Sequence, residues 1–125
     1  MRSGDVLRRY FEVEMTRNVD AILDMFIPTA VFQTPDQVRS GRAAIKPFYE
    51  DSVSRFSILE VVVKRALTDG PWGAAEWSAT LRPLSGDFLL LEGINIAEIA
   101  DGRIVQMRSY YDVSAYQAPA AGERP

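Results

Sequence analysis

Helical and strand patterns occupy separate halves of this chain, and that division constrains the fold most. Up to Phe56 the apolar residues recur at steps of three and four; beyond it they alternate or run in β-branched blocks. Residues 5–16 carry Val6, Leu7, Tyr10, Phe11 and Met15 at helical spacing, with Ser3 or Asp5 available as a cap. Asn18 suits the N-cap of a second helix that presents Ala21, Ile22, Met25 and Phe26 and stops at Pro28. Residues 30–34 read as a short strand and 35–41 as a loop. Residues 42–56 read as a third helix through Ile45, Phe48, Tyr49 and Val53. Pro47 lies inside it and removes one backbone donor, so that helix either starts late or kinks.

The second half reads as four strands. Residues 57–67 are β-branched, and Thr68-Asp69-Gly70-Pro71 breaks them. Over 74–82, Ala75, Trp77, Ala79 and Leu81 fall on one face, with Glu76, Ser78, Thr80 and Arg82 on the other. Residues 88–99 and 104–112 form the last pair, joined at Asp101-Gly102. Helices first and an antiparallel meander second make an α+β fold, whose curved sheet can enclose a pocket against the helices. With 125 residues, one domain over 1–116 is expected, followed by a disordered Ala/Pro/Gly-rich tail over 117–125.

Two absences narrow the chemistry. The chain has no Cys, which removes disulfides and thiol nucleophiles, and no His, which removes imidazole acid–base catalysis and Ser-His triads. Neither residue is available to ligate a metal, and no metal or other cofactor is expected. Catalysis would fall to carboxylates, Tyr, Lys/Arg, amides or the backbone. The net charge is −3 and no basic run exceeds Arg8-Arg9, so a nucleic-acid partner is not expected. No apolar run approaches the ~20 residues of a membrane span, and residues 1–9 lack an apolar signal region. The expectation is a cytoplasmic protein without a membrane partner.

Tyr10-Phe11-Glu12, the segment Ala30-Val31-Phe32-Gln33-Thr34-Pro35, Gly41-Arg42-Ala43-Ala44-Ile45 with Phe48-Tyr49, and Gly102-Arg103-Ile104 leading to Met107-Arg108-Ser109-Tyr110-Tyr111-Asp112 occur in this order. Together they resemble the ketosteroid isomerase and SnoaL-like group of the nuclear transport factor 2-like superfamily. The resemblance runs from about Val6 to Tyr116. It implies a cone-shaped, cystatin-like α+β barrel with three N-terminal helices packed on a curved antiparallel sheet. It also implies a homodimer through the sheet face and a small apolar ligand.

Ketosteroid isomerase uses an Asp base with a Tyr and a protonated Asp as oxyanion donors. By resemblance the donor Tyr falls on Tyr10 and the protonated Asp on Asn95, whose amide donates without a pKa shift. The base position falls on Thr34, whose hydroxyl does not accept a proton at neutral pH. Asp36, two residues on, is the candidate substitute base. Phe26, Thr34, Tyr49, Trp77, Met107 and Tyr111 are the expected ligand-binding positions. The implied activity is isomerisation, cyclisation or dehydration of an apolar carbonyl compound; the alternative is a non-catalytic binding domain.

Asn95 is the polar member of an otherwise apolar strand face that includes Leu91, Ala97 and Ile99. A two-residue Asp101-Gly102 turn sets it opposite Arg108. A three-residue turn with Gly102 left-handed sets it opposite Met107, which the resemblance favours. Glu92 would then face outward beside Ile94 and Ile96, an apolar stripe in need of cover. Arg108 is expected to pair with Glu92 or Glu76, Asp112 to be structural at the strand end, and Arg39 and Arg42 to be solvated.

Overall fold

A computed structural model describes residues 1–83 and 86–117. The elements run α1 (Ser3–Met15), α2 (Val19–Asp24), β1 (Phe26–Thr34), β2 (Gln37–Ser40), α3 (Arg42–Arg55), β3 (Phe56–Asp69), β4 (Trp72–Pro83), β5 (Leu89–Ala100), β6 (Arg103–Tyr110) and α4 (Val113–Gln117). The strands form one sheet in the order β2-β1-β6-β5-β4-β3. Every pairing is antiparallel except β1 with β6. The sheet is therefore mixed, because β1 comes from the helical half and must run beside the last strand.

The helices form for the reasons the periodicity indicates. Val6, Leu7, Tyr10 and Phe11 make one buried stripe on α1. Asn18 Oδ1 accepts from the Ala21 amide at 3.0 Å and caps α2. This helix stops at Asp24, earlier than expected, and Phe26 and Pro28 belong to β1. The β1–β6 pairing is irregular between Phe26 and Val31, so Pro28 sits where no ladder bond is asked of it. The α3 helix starts at Arg42 and continues through Pro47. The expected loop over 35–41 carries structure, since β2 pairs with β1 across Pro35-Asp36, and a short helix for which no element was expected, α4, follows Tyr111-Asp112. Gln117 ends α4; the rest of the expected tail lies outside the described residues.

The β4 alternation holds. Ala75, Trp77, Ala79 and Leu81 are buried against the helices, as are Leu91, Asn95, Ala97 and Ile99 on β5. The last hairpin follows neither expected register. Asp101 (φ 51°) and Gly102 (φ 77°) make a two-residue turn between paired Ala100 and Arg103. A bulge then inserts Val105: Ile99 pairs with Ile104, but Glu98 pairs with Gln106. That extra residue restores the inward set of the longer turn. Asn95 comes opposite Ser109, and Met107 opposite Ala97. Among the described residues, no helix is long and apolar enough to cross a membrane.

Candidate functional site

A pocket of about 60 Å³ lies between the inner sheet face and the helices. Tyr10 and Glu14 line it from α1, Trp77 from β4, Asn95 from β5, Ser109 from β6 and Tyr116 from α4. The rest of the lining is chiefly apolar and aromatic. It is small beside the roughly 300–1,000 Å³ of pockets that hold drug-sized ligands. A ligand of a few heavy atoms suits it as it stands, and a polycyclic one requires side chains to move.

Asn95 is the best-held polar group in the pocket. Its Oδ1 accepts from Trp77 Nε1 at 2.9 Å and from Ser109 Oγ at 2.7 Å. An indole N–H can only donate, so the amide orientation is determined: oxygen toward Trp77, nitrogen away. One Nδ2 hydrogen reaches Met107 Sδ at 3.4 Å. Among the described residues the second has no acceptor and remains for a ligand oxygen. The arrangement depends on Gly93, which pairs with Trp77 across the strands. A Cβ there would collide with the Trp77 ring and the Tyr110 carbonyl. Glycine lets the indole lie close over β5 and reach Asn95.

Tyr10 and Tyr49 hydrogen-bond hydroxyl to hydroxyl, both buried. Burial raises both phenols well above their ordinary range, with the nearby Glu14 charge adding to it, so both stay protonated. The pair has two protons and uses one between them. If Tyr49 donates, the Tyr10 proton points onward.

Glu14 was not singled out by sequence reasoning. It lies one turn beyond Tyr10 and two beyond Leu7, on the buried stripe of α1. Burial pushes its carboxyl up to about 7, while the Arg17 charge and the nearby Tyr10 hydroxyl pull the other way. A carboxylate seven residues after Leu7 on an apolar face was the available signal. Arg17 takes the left-handed conformation (φ 60°) just past the helix end. Its Nη2 donates to Ser52 Oγ at 2.9 Å and to the Phe56 carbonyl at 3.2 Å. Among the described residues its Nε and Nη1 are buried without a partner.

The other expected positions divide. Trp77 and Tyr111 line the pocket. Tyr49 and Phe26 are core residues behind Tyr10, and Met107 touches the pocket only through Asn95. Thr34 is buried outside the lining and donates to Asp36 Oδ1 at 2.7 Å. Asp36 is exposed, and Gln117 Nε2 donates to its other oxygen. The Thr34 bond holds its carboxyl below the usual range, which makes it a weaker base and leaves it outside the pocket. Arg108 does not take the expected carboxylates: Lys64 pairs with Glu92 at 3.3 Å and Arg65 approaches Glu76 at 4.0 Å. Asp112 caps α4 through the Ala115 amide. Arg42 Nε is tied to the Phe26 carbonyl at 3.0 Å, and Arg39 donates to Thr34.

The α4 helix brings Tyr116 over the pocket. Its ring stacks on Phe48, with centroids 6.1 Å apart, and its carbonyl accepts from Arg55 Nη2 at 2.7 Å. Among the described residues, no group of three acidic side chains is placed to hold a metal ion.

Comparisons with known proteins bear on the whole of this architecture. A candidate isomerase from Bacillus subtilis superposes with a TM-score of 0.80 at 20% identity, over 90% of this chain and 88% of its own. A protein of ketosteroid isomerase-like fold from Catenulispora acidiphila DSM 44928, in complex with trimethylamine, gives 0.80 at 13% identity, over 91% and 97%. An LEH-like epoxide hydrolase from M. tuberculosis gives 0.77 at 18% identity, over 90% and 84%. These likenesses establish the cone-shaped α+β fold. No curated protein sequence matches the chain. The family model for the SnoaL-like domain matches residues 7–107, and the chain belongs to that family.

Proposed function

We propose that the pocket binds a small apolar carbonyl compound and polarises its oxygen, as the first step of an isomerisation, cyclisation or dehydration. The observation that carries this is the free Nδ2 hydrogen of Asn95, fixed by Trp77 and Ser109 at the wall of an apolar cavity. A donor held before the reaction begins stabilises developing oxygen charge without reorganisation. Tyr10 is the second candidate donor, using the proton its Tyr49 contact leaves over. Asp36 has no part in this reading, being exposed and held ionised by Thr34.

The test uses a phenol as oxyanion mimic. Affinity and ionisation of the bound phenol are measured for the wild type, Asn95→Ala and Tyr10→Phe. Weaker binding and less ionisation in Asn95→Ala are expected; values unchanged in both variants would refute the oxygen-binding pocket. A non-catalytic binding domain is the second reading, favoured by the aromatic lining and small volume. Turnover of a small β,γ-unsaturated ketone, abolished in Asn95→Ala, excludes it.

The outer sheet face supports a homodimer as part of this reading. Val62 (62% exposed), Leu90 (72%) and Ile94 (44%) leave apolar surface on water there. Sedimentation is expected to give a dimer, and a monomer for Ile94→Lys.

A further inference from the structure

The pocket has an oxygen-binding wall at Asn95, and Glu14 lines the same small space from α1. Several features set this carboxyl apart from the surface acids. It is one helical turn from Tyr10, which is in turn bonded to Tyr49. Arg17 supplies the opposing charge, yet no ion pair closes between them. The Arg17 backbone holds a conformation that favours glycine, and its Nε and Nη1 stay unpartnered among the described residues. Strain of this kind persists only where surrounding structure enforces it. Here Ser52 and the Phe56 carbonyl do so, by gripping Nη2. The guanidinium is thereby kept near Glu14 without engaging its oxygens, and among the described residues no other cation pairs with this carboxyl, which lines the pocket.

We propose that Glu14 is the general base of this pocket and that Arg17 is a positioning residue that keeps it ionised. This rests on the carbonyl-binding reading of the site. With the ligand oxygen on Asn95 Nδ2, a Glu14 oxygen takes a proton from the carbon beside the carbonyl. The C–H electron pair becomes the new C=C bond, and the carbonyl π pair moves onto oxygen as an enolate held by Asn95. Return of the proton from Glu14 to a different carbon of the conjugated system gives the isomer. No oxidant, reductant or second reactant is consumed.

The other groups that face Glu14 are Tyr10 on α1, Tyr49 on α3, Tyr111 after β6 and Tyr116 on α4, and the sheet contributes neutral Trp77, Asn95 and Ser109. Those four phenols stay protonated at neutral pH because burial raises each of them. Arg17 is thus the charge that sets the Glu14 titration, against the burial that raises it to about 7. A base poised there combines a useful ionised fraction with real proton affinity.

The experiment follows hydrogen–deuterium exchange beside the carbonyl of a small β,γ-unsaturated cyclic ketone in D₂O, by NMR, from pD 5 to 9. Glu14→Gln, checked for folding by circular dichroism, is expected to lose about 10²–10⁴-fold in rate. The wild-type rate should rise through an inflection near 7. In Arg17→Gln that inflection should move upward, which a merely structural Arg17 would not cause. Phenol binding by Asn95→Ala is measured in parallel. If it equals the wild type, the carbonyl-binding reading fails. If it is weakened but Glu14→Gln exchanges as fast as wild type, or wild type shows no exchange above buffer, the Glu14 assignment is overturned on its own. An inflection unmoved in Arg17→Gln overturns the role of Arg17.

Discussion

Replacing Glu14 by Gln should stabilise the protein at pH 8 and leave its stability nearly unchanged at pH 4. Burial raises this carboxyl from its ordinary 4.5 to about 7 in the folded chain. Between those values the folded state binds a proton that the unfolded state has released, so stability falls as pH rises through the window. Below 4.5 both states are protonated and there is no penalty; above about 7 the penalty is complete. At about 1.4 kcal/mol per pH unit, the interval from 4.5 to about 7 gives an upper bound of about 3.5 kcal/mol. Glu14 is half-buried, and solvent screening brings the expected figure to about 1–2 kcal/mol. Gln keeps the shape but carries no charge, so it removes the penalty. Urea denaturation of both proteins at half-unit intervals from pH 4 to 8.5 measures the difference directly, because every other carboxylate is common to the two. The difference should grow between pH 4.5 and 7 and then level off. A difference that stays flat across the range would refute the assignment of a raised Glu14.

Other outcomes follow from the same geometry. Gly93→Ala forces the Trp77 ring and the Tyr110 carbonyl apart, and is expected to cost about 1–3 kcal/mol or more by thermal denaturation, with phenol binding reduced. Trp77→Phe with Ser109→Ala strips both donors from Asn95 Oδ1 and frees the amide to flip; bound-phenol ionisation should fall further in the double variant than in either single one. Asn18→Ala removes the α2 cap and should cost about 1 kcal/mol in urea midpoint analysis without changing phenol affinity. Tyr116→Ala should admit larger ketones, seen as a gain in affinity for bicyclic over monocyclic probes, since its ring covers the pocket from α4.

Much of the fold was legible in particular residues. The Ala75-Trp77-Ala79-Leu81 alternation reads directly as a half-buried strand, and Asn18 reads as a cap, because both depend on neighbours in sequence. The end of α2 was less legible: Met25 and Phe26 continue a helical period, yet Phe26 packs on Tyr10 from β1. The edge strand β2 has only four residues and gains its identity from pairing with β1, which no local pattern encodes. Asn95 was visible as the polar member of an apolar face, but its orientation required Trp77 and Ser109 from two other strands.

The sequence by itself determined which chemistries were open, since a chain without His or Cys has no imidazole or thiol to use. It also determined the inward faces of α1 and β4, because side-chain direction follows from backbone period. Only the tertiary structure decided the pairing of the last hairpin, where the Val105 bulge brings Asn95 opposite Ser109. It alone decided the acid–base candidate. Asp36, next to the expected position, is wet and held ionised, whereas Glu14 lies in the pocket with its carboxyl raised. The physical reason is the same in both cases: register and proton affinity depend on groups distant in sequence, through the ladder bonds they make and the water they exclude.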